Sequence, residues 1–344
     1  MNEPIKIAVM GVGAFGALHA RTLAALPEAR LVALGNRTRL KAENLARELG
    51  VPNVFSRVEE MIERRIADAL VIATNTETHV PYAKAALSAG MHVLIEKPVA
   101  GSLAEVQDLE AFCRKSNHVA MAGHICVFHS LVGPLIERVQ REGFRSAHFV
   151  RHRPAGLVKL FPEEHPITLT MVHDLYVAAQ MAGGAEPESF DALDALNSDG
   201  KADHAWATLR WSDGRVATFH SHWILPDGAP GDGFDWLEVF GQSYYTRVDT
   251  NPQNWTWTQD KITWPIALEI SIPHGRPTGM LAEELRSFLA ACHGVPVPAG
   301  CRLQDAVQVQ RWMEKLLKSA QSKRVAKSQH GDLTLPNVHE QTSH

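Results

Sequence analysis

The chain has 344 residues, of which 45% are hydrophobic and 21% charged, with a formal net charge of −4. That length exceeds what one compact core usually holds, so two domains are expected. The slight acidity, with no dense Lys/Arg stripe, gives no electrostatic reason to expect nucleic acid and leaves small neutral or anionic ligands open.

The opening MNEPIKIAVMGVGAFG does not read as a signal peptide, because Glu3 precedes a single basic Lys6 and the apolar stretch is rich in glycine. No run approaches the ~20 apolar residues that span a bilayer. From Ile5 to about Cys126 the strand candidates IKIAVM, RLVALGN, NVF, ALVIAT, HVLIE and VAMAGHI alternate with amphipathic stretches. This βαβ rhythm predicts a doubly wound, parallel-sheet α/β domain over 1–125. Ser56-x-x-Glu59 and Ser102-x-x-Glu105 have capping-box spacing, and Gly50 and Gly90 stand where helix C-termini favour positive φ.

After Gly143 the rhythm changes. An apolar helix is expected from about Pro166 to Ala182, then β-type runs HAWATLRW, RVATFHSHWI, DWLEVFG and YYTRVDT with turns such as Ser212-Asp213-Gly214. Consecutive strands imply an α+β domain with a large, mostly antiparallel sheet over 126–322, closed by helices near 278–292 and 303–319. From about Ser322 the chain is polar and unpatterned, and 323–344 is expected to fray.

The four cysteines, Cys113, Cys126, Cys292 and Cys301, have no CxxC or Cys/His ligand spacing, which suits a reducing, cytoplasmic setting. Eighteen histidines, among them His165, His173, His220 and His222, show no recognised ligand spacing, so no metal is expected.

GVGAFG places Gly11, Gly13 and Gly16 directly after a strand and at the opening of a helix. The first glycine permits a tight turn, the second lets backbone approach a pyrophosphate, and the third lets helix pack on strand, with the helix N-terminus from Ala14 and Phe15 facing the phosphates. An acid gripping an NAD ribose belongs about 20 residues further on. The sequence has Asn36 there, followed by Arg37, Thr38 and Arg39. An amide beside guanidinium groups suits a 2′-phosphate, so NADP is expected over NAD. The alternative is that Asn36 bonds the diol of NAD and the arginines are a solvated helix start.

Glu96-Lys97-Pro98 at the end of the fifth strand resembles the signature of the glucose-fructose oxidoreductase, inositol dehydrogenase and rhizopine catabolism protein (Gfo/Idh/MocA) family. The resemblance extends to the glycine loop with His19-Ala20, to Thr74-Asn75 and His79, to GHICVFHSL with His124, and to the helix holding His173. It implies a cleft between the two domains in which one carbon of a sugar, cyclitol or related polyol exchanges hydride with NAD or NADP. It also implies cofactor contacts from Thr74, Asn75, His79 and Glu96, a Lys97 that approaches nicotinamide and substrate hydroxyl, and a Pro98 that shapes the turn, often in cis.

Physically, Lys97 stands at the carboxyl end of a parallel strand, where open α/β sheets bind ligands, and its ammonium can stabilise a developing oxyanion. By resemblance His173 takes the place of the general base. A histidine titrates near working pH without heavy tuning. The family acids four before and three after it are replaced by Leu169 and Tyr176. Asp174 points roughly 100° away round the helix, so substrate or the domain interface is its expected partner, with Tyr176 beside it. Thr170, one turn before His173, is positioned to orient the ring. Arg151, His152 and Arg153 reach a strand end, where an arginine such as Arg153 can grip a phosphate or sugar hydroxyl; a solvated sheet edge is the alternative. Asp174 directly after His173 resembles a branch of the family whose motif runs His-Asp followed by Ile-Asp, and since that branch includes oxidoreductases of nucleotide-linked amino sugars, a UDP-amino sugar is the second substrate reading.

A cofactor-binding regulator without turnover, of the kind a yeast galactose-regulon repressor represents, is the reading that Leu169 and Tyr176 favour and that Lys97 and His173 oppose. Trp206, Trp211, Trp223, Trp236, Trp255 and Trp257 mark a second-domain sheet expected to build a homodimer or homotetramer.

Overall fold

The computed structural model describes residues 3–226, 228–229, 231, 233–251, 256–257, 262–263 and 275–329. The first unit alternates β1 (Ile5–Met10), α1 (Ala14–Ala25), β2 (Ala29–Gly35), α2 (Arg39–Leu49), β3 (Asn53–Phe55), α3 (Val58–Glu63), β4 (Ala69–Ile72), α4 (Thr76–Ser88), β5 (His92–Glu96), α5 (Leu103–Cys113) and β6 (Ala120–Gly123). The six strands are all parallel, in the order β3-β2-β1-β4-β5-β6. Strand order reverses between β1 and β4, and the crevice at their carboxyl ends is where such sheets take ligands. Runs such as ALVI are apolar on both faces because helices cover both sides of the sheet.

The second unit contains α6 (Val132–Glu142), β7 (Ser146–Pro154), the short α7 (Leu157–Leu160), a π-helical turn over Ile167–Met171, and α8 (Val172–Met181). Five strands follow, β8 (Ser189–Leu196), β9 (Ala202–Arg210), β10 (Val216–Leu225), β11 (Phe234–Phe240) and β12 (Tyr245–Asn251), and then the two-residue β13 (Thr256–Trp257) and β14 (Ile262–Thr263). The large sheet runs β12-β11-β7-β10-β9-β8 and is antiparallel except for β7 against β10. Its inner face alternates Ala147, Phe149, Ala217 and Phe219 against Leu175 and Val172 of α8 and buries them in one core. Phe149 and Phe219 stack with ring centroids 4.9 Å apart. The strand candidates of the sequence miss β8 and most of β7.

The chain ends with α9 (Met280–Cys292) and α10 (Leu303–Gln329). Spacing assigns both to the second domain, but α9 returns to the first sheet, where Leu281, Leu285 and Phe288 join the core with Ile7 and Val71. The last helix continues to Gln329, correcting the expected stop at 319 and the fraying from 323. Lys323 and Arg324 pair with Asp191 and Asp194 of β8, and Ala320 is buried, so tertiary contacts extend a helix that its composition alone does not hold. Residues 330–344 lie outside the described residues.

Of the two capping boxes, only Ser102 caps, its Oγ accepting the Glu105 amide at 3.3 Å. The Ser56 box is not formed: α3 starts one residue late, with Arg57 at its N-cap and no side-chain cap. Gly50 closes α2 at φ 69°. Trp211 and Trp223 are core residues rather than contact surface, because they stand on the inward face. Trp206 and Trp236 lie on the half-buried opposite face with His148, His220 and His222; Trp255 and the Trp257 side chain lie outside the described residues. Among the described residues no helix is long and apolar enough to cross a membrane.

Candidate active site

Three loops meet at the carboxyl edge of the first sheet. In the glycine loop a Cβ on Gly11, at φ +95°, would fall 2.3 Å from the Ala73 carbonyl oxygen, and one on Gly16 would fall 1.7 Å from the Gly11 oxygen. These two glycines are demanded by the chain's own packing. A Cβ on Gly13 would meet nothing within 4 Å. The open side of Gly13 and the first-turn amides of Ala14, Phe15 and Gly16, which have no side-chain cap and no acid beside them, fit a pyrophosphate at this helix N-terminus.

Asn36 is spent on the loop itself. Its Oδ1 accepts the Val12 amide at 3.2 Å and its Nδ2 donates to the Thr38 carbonyl at 3.1 Å. Arg39 pairs with Glu43 at 2.8 Å, whereas the exposed Arg37 makes no ion pair among the described residues. Thr74 Oγ1 meets Thr78 Oγ1 at 2.7 Å, and Asn75 Nδ2 donates to Glu77 at 3.2 Å. His79 is buried beneath the loops, its ring nitrogens 2.9 Å from the Pro98 carbonyl and 3.1 Å from the Thr74 carbonyl. A neutral ring donates to only one of these carbonyls at a time, and burial holds its pKa below the usual histidine value. His79 therefore staples two loops together.

The third loop is Glu96-Lys97-Pro98, with a cis Lys97–Pro98 peptide. Glu96 is nearly buried; its Oε1 lies 2.7 Å from His19 Nε2 and its Oε2 accepts the Lys97 amide at 3.1 Å. The Lys97 ammonium crosses to the second unit and donates to the Leu169 carbonyl at 3.1 Å. Leu169 thus contributes backbone where an acid was sought, from a wide i→i+5 turn of the sort that often marks functional sites. Burial lowers the Lys97 pKa, and the charge of Glu96 opposes that fall. His173, half-buried on α8, makes no hydrogen bond among the described residues. Burial, then the charges of Lys97, Arg151 and Arg153, hold its pKa well below the ordinary value, so the ring is a free, neutral acceptor beside the lysine.

The remaining sequence candidates are occupied elsewhere. Asp174 takes Arg151 with both oxygens at 2.9 Å, Arg151 also reaches Asp235 at 3.0 Å, and Arg153 holds Asp235 at 2.5 and 2.8 Å. Burial pushes the Asp174 carboxyl up and Arg151 pulls it down; the bidentate geometry keeps the pair ionised. This four-residue chain ties α8 to β7 and β11, and Asp174 and Arg153 are members of it. Thr170 donates to the Pro166 carbonyl at 2.9 Å and accepts Trp223 Nε1 at 3.0 Å, so it turns into the sheet and does not orient His173. Tyr176 is buried against His124. Asp235 carried no signal in sequence, because its role depends on strand pairing across 84 residues.

A Rossmann-type dinucleotide fold whose phosphate loop, β4 loop and lysine turn converge on a helix of a second unit defines an oxidoreductase. Residues 5–124 match the family model described as oxidoreductase family, NAD-binding Rossmann fold. An uncharacterised oxidoreductase of Streptococcus pneumoniae is 32% identical over 333 residues, covering 85% of this chain and 89% of that protein. The UDP-N-acetylglucosamine 3-dehydrogenase of Acidithiobacillus ferrooxidans is 28% identical over 246 residues, 71% of this chain and 74% of that protein. A crystal structure of scyllo-inositol dehydrogenase from Lactobacillus casei, with bound NAD(H) and scyllo-inositol, superposes with a TM-score of 0.79 at 18% identity, over 93% of this chain and 98% of that one. The chain belongs to the Gfo/Idh/MocA oxidoreductase family.

Proposed function

We propose that this protein interconverts a secondary alcohol and a ketone on a sugar, cyclitol or related polyol, using NADP(H) in preference to NAD(H). The observation that carries the reading is the meeting of the Lys97 ammonium with the turn before α8, next to an unpartnered, neutral His173. Gly13 and the amides at the α1 N-terminus would hold the dinucleotide, which when bound would supply the hydride acceptor or donor. Lys97 donates a hydrogen bond to the reacting oxygen and stabilises its developing negative charge. His173 takes the hydroxyl proton in oxidation and returns it in reduction, a neutral ring being the form that accepts. Support for NADP comes from the absence of a carboxylate at position 36 and the uncommitted guanidinium of Arg37.

The relatives named for cyclitol and UDP-amino sugar dehydrogenation support the substrate class, and the UDP-amino sugar remains the second reading because the Acidithiobacillus ferrooxidans relative is named for one. We also propose a cytoplasmic setting and a dimer or tetramer through the outer face of the second sheet, which carries Trp206 and Trp236; a monomer by light scattering would contradict that assembly. The deciding experiment is a near-stoichiometric assay with NADP against free sugars, inositols, sugar phosphates and UDP-sugars, following nicotinamide absorbance. One substrate class should give reduction, lost by about 10²-fold or more in His173→Ala. Tight NADP binding with no reduction on any member would sink the enzymatic reading of this site and favour a regulator.

A further inference from the structure

One buried acid has no part in this chemistry. Glu284 stands on the apolar face of α9 between Leu281 and Phe288, is 0% exposed, and neither carboxylate oxygen has a hydrogen-bond partner. His19 of α1, 0% exposed, and Glu96 of β5, 7% exposed, face it, and the three side chains bring ligating atoms within 4.8 Å of one another. Among the described residues the Cys301 thiol, buried ahead of α10, is a further titratable group close enough to feel Glu284. No lysine or arginine pairs with Glu284 among the described residues. Two carboxylates this close in an apolar interior cannot both remain ionised without a cation between them.

We propose that Glu284 is a positioning residue: it keeps its own proton, donates a hydrogen bond through it to Glu96, and so leaves Glu96 as the one carboxylate of the pair, which fixes the backbone of Lys97. With a neutral Glu284 as donor, Glu96 has three hydrogen-bond partners, His19, the Lys97 amide and Glu284, and α9 is tied to the reactive turn although it lies about 190 residues further along the chain. Burial first, and then the charge of Glu96, raise the Glu284 pKa well above the carboxylate range, in agreement with that geometry. A carboxyl raised in the folded state contributes its full share of stability below its unfolded pKa, and that share is lost as pH rises towards the folded value.

The test compares full-length wild type, Glu284→Gln and Glu284→Ala in thermal unfolding from about pH 5 to pH 9, with and without EDTA, alongside elemental analysis and kinetics on whichever panel substrate turns over. Glutamine keeps the shape and a donor but cannot ionise. The expected result is that Glu284→Gln is at least as stable as wild type, with a margin that widens as pH rises, and retains kcat within about twofold, while Glu284→Ala loses about tenfold or more in kcat with dinucleotide KM little changed. A Glu284→Gln protein less stable than wild type at every pH, a margin independent of pH, or one equivalent of bound metal whose removal by EDTA lowers wild-type Tm, would each overturn the shared proton. The kinetic half rests on the proposed role of Lys97; the stability half does not, so an inactive panel defeats the proposed function without deciding Glu284.

Discussion

The glycine loop after β1 and the helix α8 both carry polar function, yet they are built on different plans. The loop is built from backbone: Gly11 and Gly16 satisfy close chain contacts, Gly13 leaves an open side, and the first-turn amides of α1 have no side-chain cap. On α8 the side chains act, and what each can do is decided by partners on distant strands. Asp174 is taken by Arg151, and Thr170 of the preceding turn by Trp223, whereas His173 makes no hydrogen bond among the described residues. A backbone site is thus specified within a dozen residues, whereas a side-chain site is specified by subtraction, after the fold has claimed its share.

That contrast can be broken most severely at Arg151. Replacement by methionine strands Asp174 and Asp235 as buried carboxylates and is expected to destabilise by about 3–5 kcal/mol, read from urea unfolding, where a substrate-gripping role would leave stability intact. Lys97→Met should keep the fold and lower kcat by about 10²–10³-fold, as loss of one oxyanion donor does; an unchanged kcat would remove the lysine from the chemistry. Asn36→Asp with Arg37→Ala should shift the NADP/NAD preference by about 10-fold or more towards NAD, measured as the ratio of kcat/KM, through loss of the phosphate partner and added repulsion. Because Asn36 also holds the Val12 amide, its replacement by alanine is expected to weaken binding of both dinucleotides together, which isothermal titration resolves.

A finer test is Gly13→Ala. Stability should move by less than about 0.5 kcal/mol, since no protein atom is met, while dinucleotide affinity falls. Last, the acid limb of the oxidation rate should lie below the ordinary histidine pKa. The His173 pKa is depressed in the folded state, so the stability that accompanies its neutral form is fully present above the unfolded value and is lost as pH falls from there through the folded one. An acid limb at or above the ordinary histidine value would show that the ring is not in the field of Lys97.

Much of the nucleotide unit was legible because its signals are local. Six apolar runs, Ser102 at a cap, Gly50 at a C-terminus and the loop glycines each follow from periodicity or from one residue's φ preference. The second unit was legible as a class of sheet but not in detail: the polar-laced SFDALDAL became β8, and the Ser56 pattern capped nothing. In the site, Lys97 stands where its strand-end position implied, but Thr170, Asp174, Arg153 and His79 all answer to partners that no spacing rule reveals.

The sequence by itself determined the α/β unit with its phosphate loop, the change to a mostly antiparallel sheet, and the placing of a lysine at the end of β5. Period, capping and glycine conformational freedom act over a few residues and are written in order along the chain. Only the tertiary structure decided that α9 returns to the first sheet, that Arg151 closes on Asp174 and Asp235, that the Leu169 backbone receives Lys97, and that Glu284 meets Glu96 in the dark of the core. Those are long-range meetings of charge and hydrogen-bonding groups, and their energies depend on burial and partner geometry, which exist only once the chain has folded.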